Sequence, residues 1–307
     1  MISNLNYPIP NTLGIDAKAR LFIEYYSLNE LRQVLKEHKG ERMLHIGQGS
    51  NLLFTQDFDG VILHSGMARA KFLDNETVEA QNGLRLDDMI AQLTDMGYSG
   101  LEKLSLIPGE VGASAVQNVG AYGVEAKDVI ERVYTIDVES GEERVFTNAE
   151  CKFGYRDSAF KHELKGKYIV TSVVYKVKPG DATKTREEII ETRNGKLPKV
   201  GEVGSAGSFF MNPFVPEEQA KELLKQYPDM PHFQTPQGVK IPAAWLIEQC
   251  GWKGKTLGGA QVWPKQPLVI VNANNASAQD IMDLAAQVSA SVKEKFNIDI
   301  HPEVNYI

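Results

Sequence analysis

The chain has 307 residues, 33 Lys and Arg against 40 Asp and Glu, a formal net charge of −7, and two cysteines. That length can bury more than one core, and the acidic balance argues against nucleic acid or an anionic membrane as a general partner. Two isolated cysteines give neither a disulfide framework nor a metal knuckle, and Met1 to Pro10 lacks a basic-then-apolar leader, so a cytoplasmic protein is expected.

Ser27-Leu28-Asn29-Glu30 reads as a capping box that opens a helix with Leu28, Leu31, Val34 and Leu35 on one face. Arg42–Ile46 reads as a short strand running into Gly47-Gln48-Gly49-Ser50-Asn51 and then Leu52-Leu53-Phe54. A dinucleotide fingerprint would need its third glycine at Leu52, and no crossover helix follows, because Val61–His64 resumes as a strand. A strand, glycine loop and strand that cradle a pyrophosphate through backbone amides fit better than a Rossmann unit.

A second helix carries Leu86, Met89, Ile90 and Leu93 and stops at Gly97. Then comes Ile107–Gly123, crowded with Gly, Ala and Ser and almost uncharged. Small residues let another molecule approach the peptide groups closely, so a bulky phosphorylated cofactor would explain it; a tightly packed turn without a ligand would as well. Strands are expected at Val133–Val138, Arg144–Phe146 and Tyr168–Tyr175. Lys176–Gly195 is charged, lacks aromatics, and reads as a connection with one or two helical turns. Beyond it, Ala220, Leu223, Leu224 and Tyr227 mark one helix and Trp245, Leu246 and Gln249 another, before a buried strand at Leu268–Val271. Ser277-Ala278-Gln279-Asp280 caps a long helix with Ile281, Leu284, Ala285, Val288 and Val292 inward. The fold class is α+β, in three parts at 1–66, 67–197 and 198–307. Six scattered histidines form no HExxH or His-x-His pair, and no G-x-S-x-G elbow or Walker loop occurs, so zinc, serine-hydrolase and P-loop chemistries lack support.

Seven runs, in order, resemble the UDP-N-acetylenolpyruvoylglucosamine reductase family. They are Asn11–Asp16, Gly47–Leu53, Ile107–Gly123, Phe153-Gly154-Tyr155-Arg156-Asp157-Ser158, Lys196-Leu197-Pro198, Ala206–Pro213 and Pro302-Glu303-Val304. The resemblance implies the FAD-binding fold of vanillyl-alcohol-oxidase-type flavoproteins, a smaller substrate-binding domain, non-covalent FAD, and NADPH as co-substrate. It implies that Gly47, Gly49, Ser50, Asn51 and Leu52 cradle the FAD diphosphate, with Gly112 and Ser114 helping. It implies that Pro108, Val116, Gly120 and Val170 line the flavin and its ribityl chain. Arg156 is the candidate cation for the substrate carboxylate, although Asp157 beside it also suits a surface ion pair. Ser208 is the candidate proton donor, and Glu303 the partner on the carboxylate side, protonated or sharing a proton. Lys196, Asn212 and Gln266 are expected to meet the diphosphate and sugar of the UDP substrate, flanked by Tyr122 and Tyr155. NADPH and the UDP-sugar are expected to use one site in turn, in a monomer with no nucleic acid, membrane or metal. Many members carry a longer insertion after Tyr175, with a tyrosine that closes over the diphosphate. Residues 176–195 contain no tyrosine, and Arg186 or Arg193 is the candidate to take over a phosphate contact. A flavin-dependent alcohol oxidase of the same fold, and a FAD-binding relic without turnover, stay open as alternatives.

Overall fold

The computed structural model describes residues 1–199 and 201–307. The chain divides into two compact units. The first holds Met1–Ile9, Lys18–Gly49 and Asp57–Arg193; the second holds Pro10–Ala17, Ser50–Gln56 and Asn194–Ile307. Two short excursions from the first 66 residues thus fold with the C-terminal part of the chain.

The first unit contains two sheets. In one, strands β1 (Ile2–Pro8), β2 (Lys18–Tyr25), β3 (Met43–Ile46) and β4 (Phe58–Ser65) lie in the order β1-β2-β4-β3; β1 runs antiparallel to β2, while β4 is parallel to both its neighbours. Helix α1 (Leu28–Glu37) buries Leu31, Val34 and Leu35 against this sheet's Leu21, Ile23, Val61 and Leu63. Its start matches half of the expected capping box. The Ser27 hydroxyl accepts from the Glu30 amide, but the Glu30 carboxylate reaches back to the Tyr26 amide instead of Ser27.

The second sheet is antiparallel throughout. Strands β5 (Ala70–Phe72), β6 (Thr77–Gln81), β7 (Ile130–Asp137), β8 (Glu143–Thr147) and β9 (Tyr168–Lys176) lie in the order β8-β7-β9-β6-β5. Helices α2 (Leu86–Asp95) and α3 (Val111–Gln117) pack on it, burying Met89, Ile90, Leu93, Val111 and Ala115 with Val173 and Tyr175.

Helix α4 (Thr183–Lys196) corrects the expectation of a connection with one or two turns. It covers 14 residues, none of them buried, so it shows no apolar stripe to read as a helix. The good helix formers Arg186, Glu187, Glu188, Glu191 and Arg193, and the Asp181 carboxylate accepting from the Thr183 amide at 2.9 Å, sustain it instead.

In the second unit, strands β10 (Gly204–Ser208), β11 (Thr256–Leu257), β12 (Ala260–Val262) and β13 (Val269–Asn272) form an antiparallel sheet in the order β10-β13-β12-β11. Helices α5 (Glu217–Gln226), α6 (Ala243–Gln249) and α7 (Ala278–Phe296) complete its core. The α7 capping box is complete: the Ser277 hydroxyl accepts from the Asp280 amide and the Asp280 carboxylate from the Ser277 amide. Its inward stripe, Ile281, Leu284, Ala285, Val288 and Val292, is buried as the pattern requires, each large side chain contributing roughly 1.5–3 kcal/mol.

Candidate functional site

In the first unit, the two glycine-rich segments that sequence separates by about sixty residues lie edge to edge. The Gly109 amide donates to the Gln48 side-chain oxygen at 3.0 Å, and a Cβ placed on Gly47 would stand 3.0 Å from Glu110 Oε2. Only glycine lets these two loops come so close. Gly49 and Gly109 adopt φ of 65° and 121°, where a side chain would strain the backbone. Loops of this kind present peptide groups rather than side chains, which fits the donor set a dinucleotide diphosphate requires.

The floor of this region is Asn82, which is 2 % exposed. Its Nδ2 donates to the Val170 carbonyl (2.7 Å) and the Tyr25 hydroxyl (3.0 Å), while its Oδ1 accepts from Ser65 (2.7 Å). The Tyr25 hydroxyl also meets His45 Nε2 at 2.9 Å. Burial pushes the His45 pKa down to about 3 and that of Tyr25 up to about 12, so both stay neutral. Asn82 also takes the Gly112 amide on its own carbonyl at 3.0 Å, and a Cβ at Gly112 would fall 2.8 Å from the Asn82 Cβ.

Several expected FAD contacts sit in this frame. Val116 is half-buried and its carbonyl accepts from Ser158 at 2.6 Å. Pro108 precedes Gly109, and Val170 is buried on β9. Ser114 behaves differently. Its hydroxyl lies inside the core, 2.7 Å from the Val111 carbonyl and 2.6 Å from the Tyr175 hydroxyl, so it fastens α3 to β9 from below.

Arg156 takes φ of 54°, donates through Nη2 to the Gly120 carbonyl, and stacks 5.2 Å over the Tyr155 ring. Asp157 pairs with His162 at 2.8 Å. Tyr122, at φ of 51°, stays exposed on the turn after Gly120. Arg186 and Arg193 are both tied down within the first unit. Arg186 Nη2 meets Asp87 Oδ1 at 3.0 Å, and Arg193 Nη2 donates to the Leu106 carbonyl at 3.2 Å.

The second unit brings Ser208 and Glu303 onto adjoining main chain. The Glu303 amide donates to the Phe209 carbonyl at 2.8 Å, Phe210 bridges Pro302, and the Met211 amide donates to the His301 carbonyl. Ser208, at the end of β10, is exposed, and Glu303 is half-buried. Asn51 joins them: its Nδ2 donates to the Glu303 carbonyl at 3.2 Å and its own carbonyl accepts from Asn305 at 3.0 Å. Leu52 pairs with Asn305 in a short parallel ladder, and Ser50 precedes it in the same unit.

Lys196 is exposed at the end of α4, its carbonyl accepting from the Trp263 indole at 3.0 Å. Asn212 accepts from the Ala243 amide at the start of α6 (2.9 Å), and the Gln266 side chain accepts from the Leu268 amide in its own turn. Among the described residues, no cluster of His, Cys, Asp or Glu could hold a metal ion, and no helix is long and apolar enough to cross a membrane.

Sequence reasoning missed Gln48, Asn82 and a chain of charged groups, Glu24, His64 and Glu110. Glu110 carried a readable signal: it is the one acidic residue in the otherwise uncharged Ile107–Gly123 segment.

A flavin-type FAD-binding module with an appended α+β domain defines the class: residues 19–147 match the FAD binding domain family. Residues 198–307 match the UDP-N-acetylenolpyruvoylglucosamine reductase C-terminal domain family. The chain is 46% identical over 323 residues to UDP-N-acetylenolpyruvoylglucosamine reductase of Bacteroides fragilis, covering 97% of each chain. It is 42% identical over 327 residues to the enzyme of that name from Neisseria gonorrhoeae, covering 97% of this chain and 94% of the relative. The crystal structure of UDP-N-acetylenolpyruvylglucosamine reductase from Thermus caldophilus superposes with a TM-score of 0.75 at 25% identity, covering 99% of this chain and 98% of that one. The chain belongs to the UDP-N-acetylenolpyruvoylglucosamine reductase family.

Proposed function

We propose that this chain reduces UDP-N-acetylglucosamine enolpyruvate to UDP-N-acetylmuramate for peptidoglycan synthesis, using NADPH and non-covalent FAD, with Arg156, Ser208 and Glu303 as its catalytic residues. The observation that carries the reading is the relationship to the Bacteroides fragilis enzyme across 97% of both chains. FAD, when bound, supplies a two-electron carrier between NADPH and the enol ether.

The protein's own task is electrostatic and protonic. Adding hydride to C3 of the enolpyruvyl group builds negative charge on its carboxylate, and C2 must then gain a proton. Arg156 offers a planar, permanently charged fork to that carboxylate, and preorganised charge where charge develops is often the largest catalytic contribution. Its anchor on Gly120 and the Tyr155 ring fixes the fork in advance. Ser208 gives its hydroxyl proton to C2. A hydroxyl is a weak acid, so it needs a polarising neighbour in the bound complex. Glu303 stands on the carboxylate side of the substrate, protonated or sharing a proton. Lys196, Asn212, Gln266, Tyr122 and Tyr155 serve the UDP-sugar. Gly47, Gly49, Ser50, Asn51, Leu52, Pro108, Gly112, Val116, Gly120 and Val170 serve FAD, with Ser114 bracing α3. In this reading residues 1–66 and 67–197 form the FAD module and 198–307 the substrate domain. A nucleotide-sugar substrate and NADPH make the cytoplasm the compartment of the reaction.

Anaerobic stopped-flow absorbance tests it. NADPH should bleach the flavin, and the enolpyruvyl sugar should restore the colour far faster than oxygen does. Rapid reoxidation by oxygen with no response to the sugar would instead mark an alcohol oxidase.

A further inference from the structure

Glu110 is 5 % exposed, immediately before α3, and its carboxylate makes no cap bond to that helix. Its Oε1 lies 2.9 Å from His64 Nε2, and its Oε2 is the atom packed against Gly47. The other ring nitrogen, His64 Nδ1, lies 2.8 Å from Glu24 Oε1. Glu24 in turn accepts from the Tyr26 hydroxyl. Phe22 stacks on the imidazole with 6.2 Å between ring centres.

The geometry fixes a proton count. A neutral imidazole donates through one nitrogen only, so its second nitrogen would turn a lone pair toward a carboxylate oxygen. With both nitrogens facing carboxylates, the trio is satisfied when His64 carries both protons. The group then stands as one cation between two anions.

The placement matters because the proposed FAD diphosphate seat begins at Gly47. A buried, uncompensated carboxylate against that loop would oppose a dianionic ligand. We propose that Glu110 and His64 are positioning residues for FAD: Glu110 locks the Gly47 loop to α3, and the His64 proton cancels its charge so that the diphosphate can bind beside it. The inference rests on the reading that FAD is held by the Gly47–Leu52 and Ile107–Gly120 segments.

The surrounding groups leave His64 as the switch. Glu24 faces it from β2, Glu110 from the start of α3, and His45 from β3; the amino terminus acts on Glu24 from β1. His45 and the neighbouring Tyr25 stay neutral throughout the neutral range. Burial works against the charged ring of His64, but its bonds and attraction to Glu110 and Glu24 together outweigh that and raise its pKa. FAD affinity is therefore retained at low pH and falls as pH rises through the raised value.

The test is FAD binding to the full-length apoprotein, followed by quenching of flavin fluorescence from about pH 6 to about pH 9. For the wild type, Kd should rise on the order of tenfold across that range. Glu110→Gln should flatten the profile at the tight-binding level, because an amide needs no compensating proton. His64→Gln should bind weakly at every pH, and adding Glu110→Gln to it should restore affinity. A wild-type profile that is flat, or a step that survives Glu110→Gln, overturns the proposal while FAD binding itself stands. Failure of the wild type to take up FAD at any pH overturns the functional reading beneath it.

Discussion

The two units hold their functional residues with different emphasis. In the first, buried polar side chains do much of the positioning: Asn82 joins the two sheets, Gln48 takes the Gly109 amide, and Glu110, packed on Gly47, meets His64 of the first sheet. In the second, main-chain bonds tie Phe209 and Met211, just after Ser208, to the His301–Glu303 segment over an apolar core containing Phe209 and Phe210. The Asn51 side chain adds one bond to the Glu303 carbonyl. A buried hydrogen bond that loses one partner costs the full desolvation of the group left behind, whereas a main-chain ladder ignores what its side chains do. Single polar substitutions at Asn82 should therefore cost more than changes of a polar side chain along the Phe209–Glu303 ladder.

The largest expected effect is at Asn82. Asn82→Leu keeps the volume but strands the Ser65 hydroxyl and the Val170 carbonyl, at about 3 kcal/mol or more of stability. Denaturant unfolding monitored by far-UV circular dichroism, together with FAD retention, measures it. A midpoint within error of the wild type would show that polar bracing is dispensable in this unit. Ser208→Ala is the counterpart in the second unit. The ladder through Phe209 and Glu303 uses backbone atoms only, so the unfolding midpoint should not move. Flavin reduction by NADPH should also stay near normal, while reoxidation by the enolpyruvyl sugar slows by roughly 10²-fold. Equal losses in both half-reactions would make Ser208 a structural residue.

The same contrast explains what could be read from the chain. α1 and α7 were legible because each has a polar cap followed by a buried stripe, Leu31, Val34 and Leu35 in one and Ile281 to Val292 in the other. The Gly47 and Ile107–Gly123 segments were legible because glycine marks close backbone approach; that they lie against each other, through Gln48 and Glu110, is seen only in the fold. Asn82 and His64 were not. Each sits in an ordinary strand or turn context, and its meaning lies in partners 17 to 88 residues away for Asn82 and 40 to 46 for His64. Single-residue chemistry without a third dimension cannot supply those partners. α4 was missed for the converse reason, being a helix that no core requires.

That helix offers the smallest and sharpest test of the comparison, since it belongs to the polar-braced regime without a buried residue of its own. Arg186 and Arg193, seven residues apart, lie on one face at helical spacing. Asp87 Oδ1 receives both Arg186 and the Leu106 amide (2.9 Å), and Arg193 takes the Leu106 carbonyl. Leu106 itself stands at φ of 57°, a costly region for leucine, directly before Ile107 and Pro108. Arg193 as a whole is only half-buried, but desolvation of its guanidinium holds its pKa below the usual value, with the nearby Tyr122 and Asp87 opposing that shift. Arg186→Met keeps the aliphatic stem and removes the ion pair, so it should cost only about 1 kcal/mol globally. Its local effect should be larger: amides of α4 should exchange hydrogen faster while those of α7 stay unchanged. If α4 protection survives Arg186→Met, backbone propensity alone sustains the helix, and polar bracing in the first unit ends at Asn82 and Glu110.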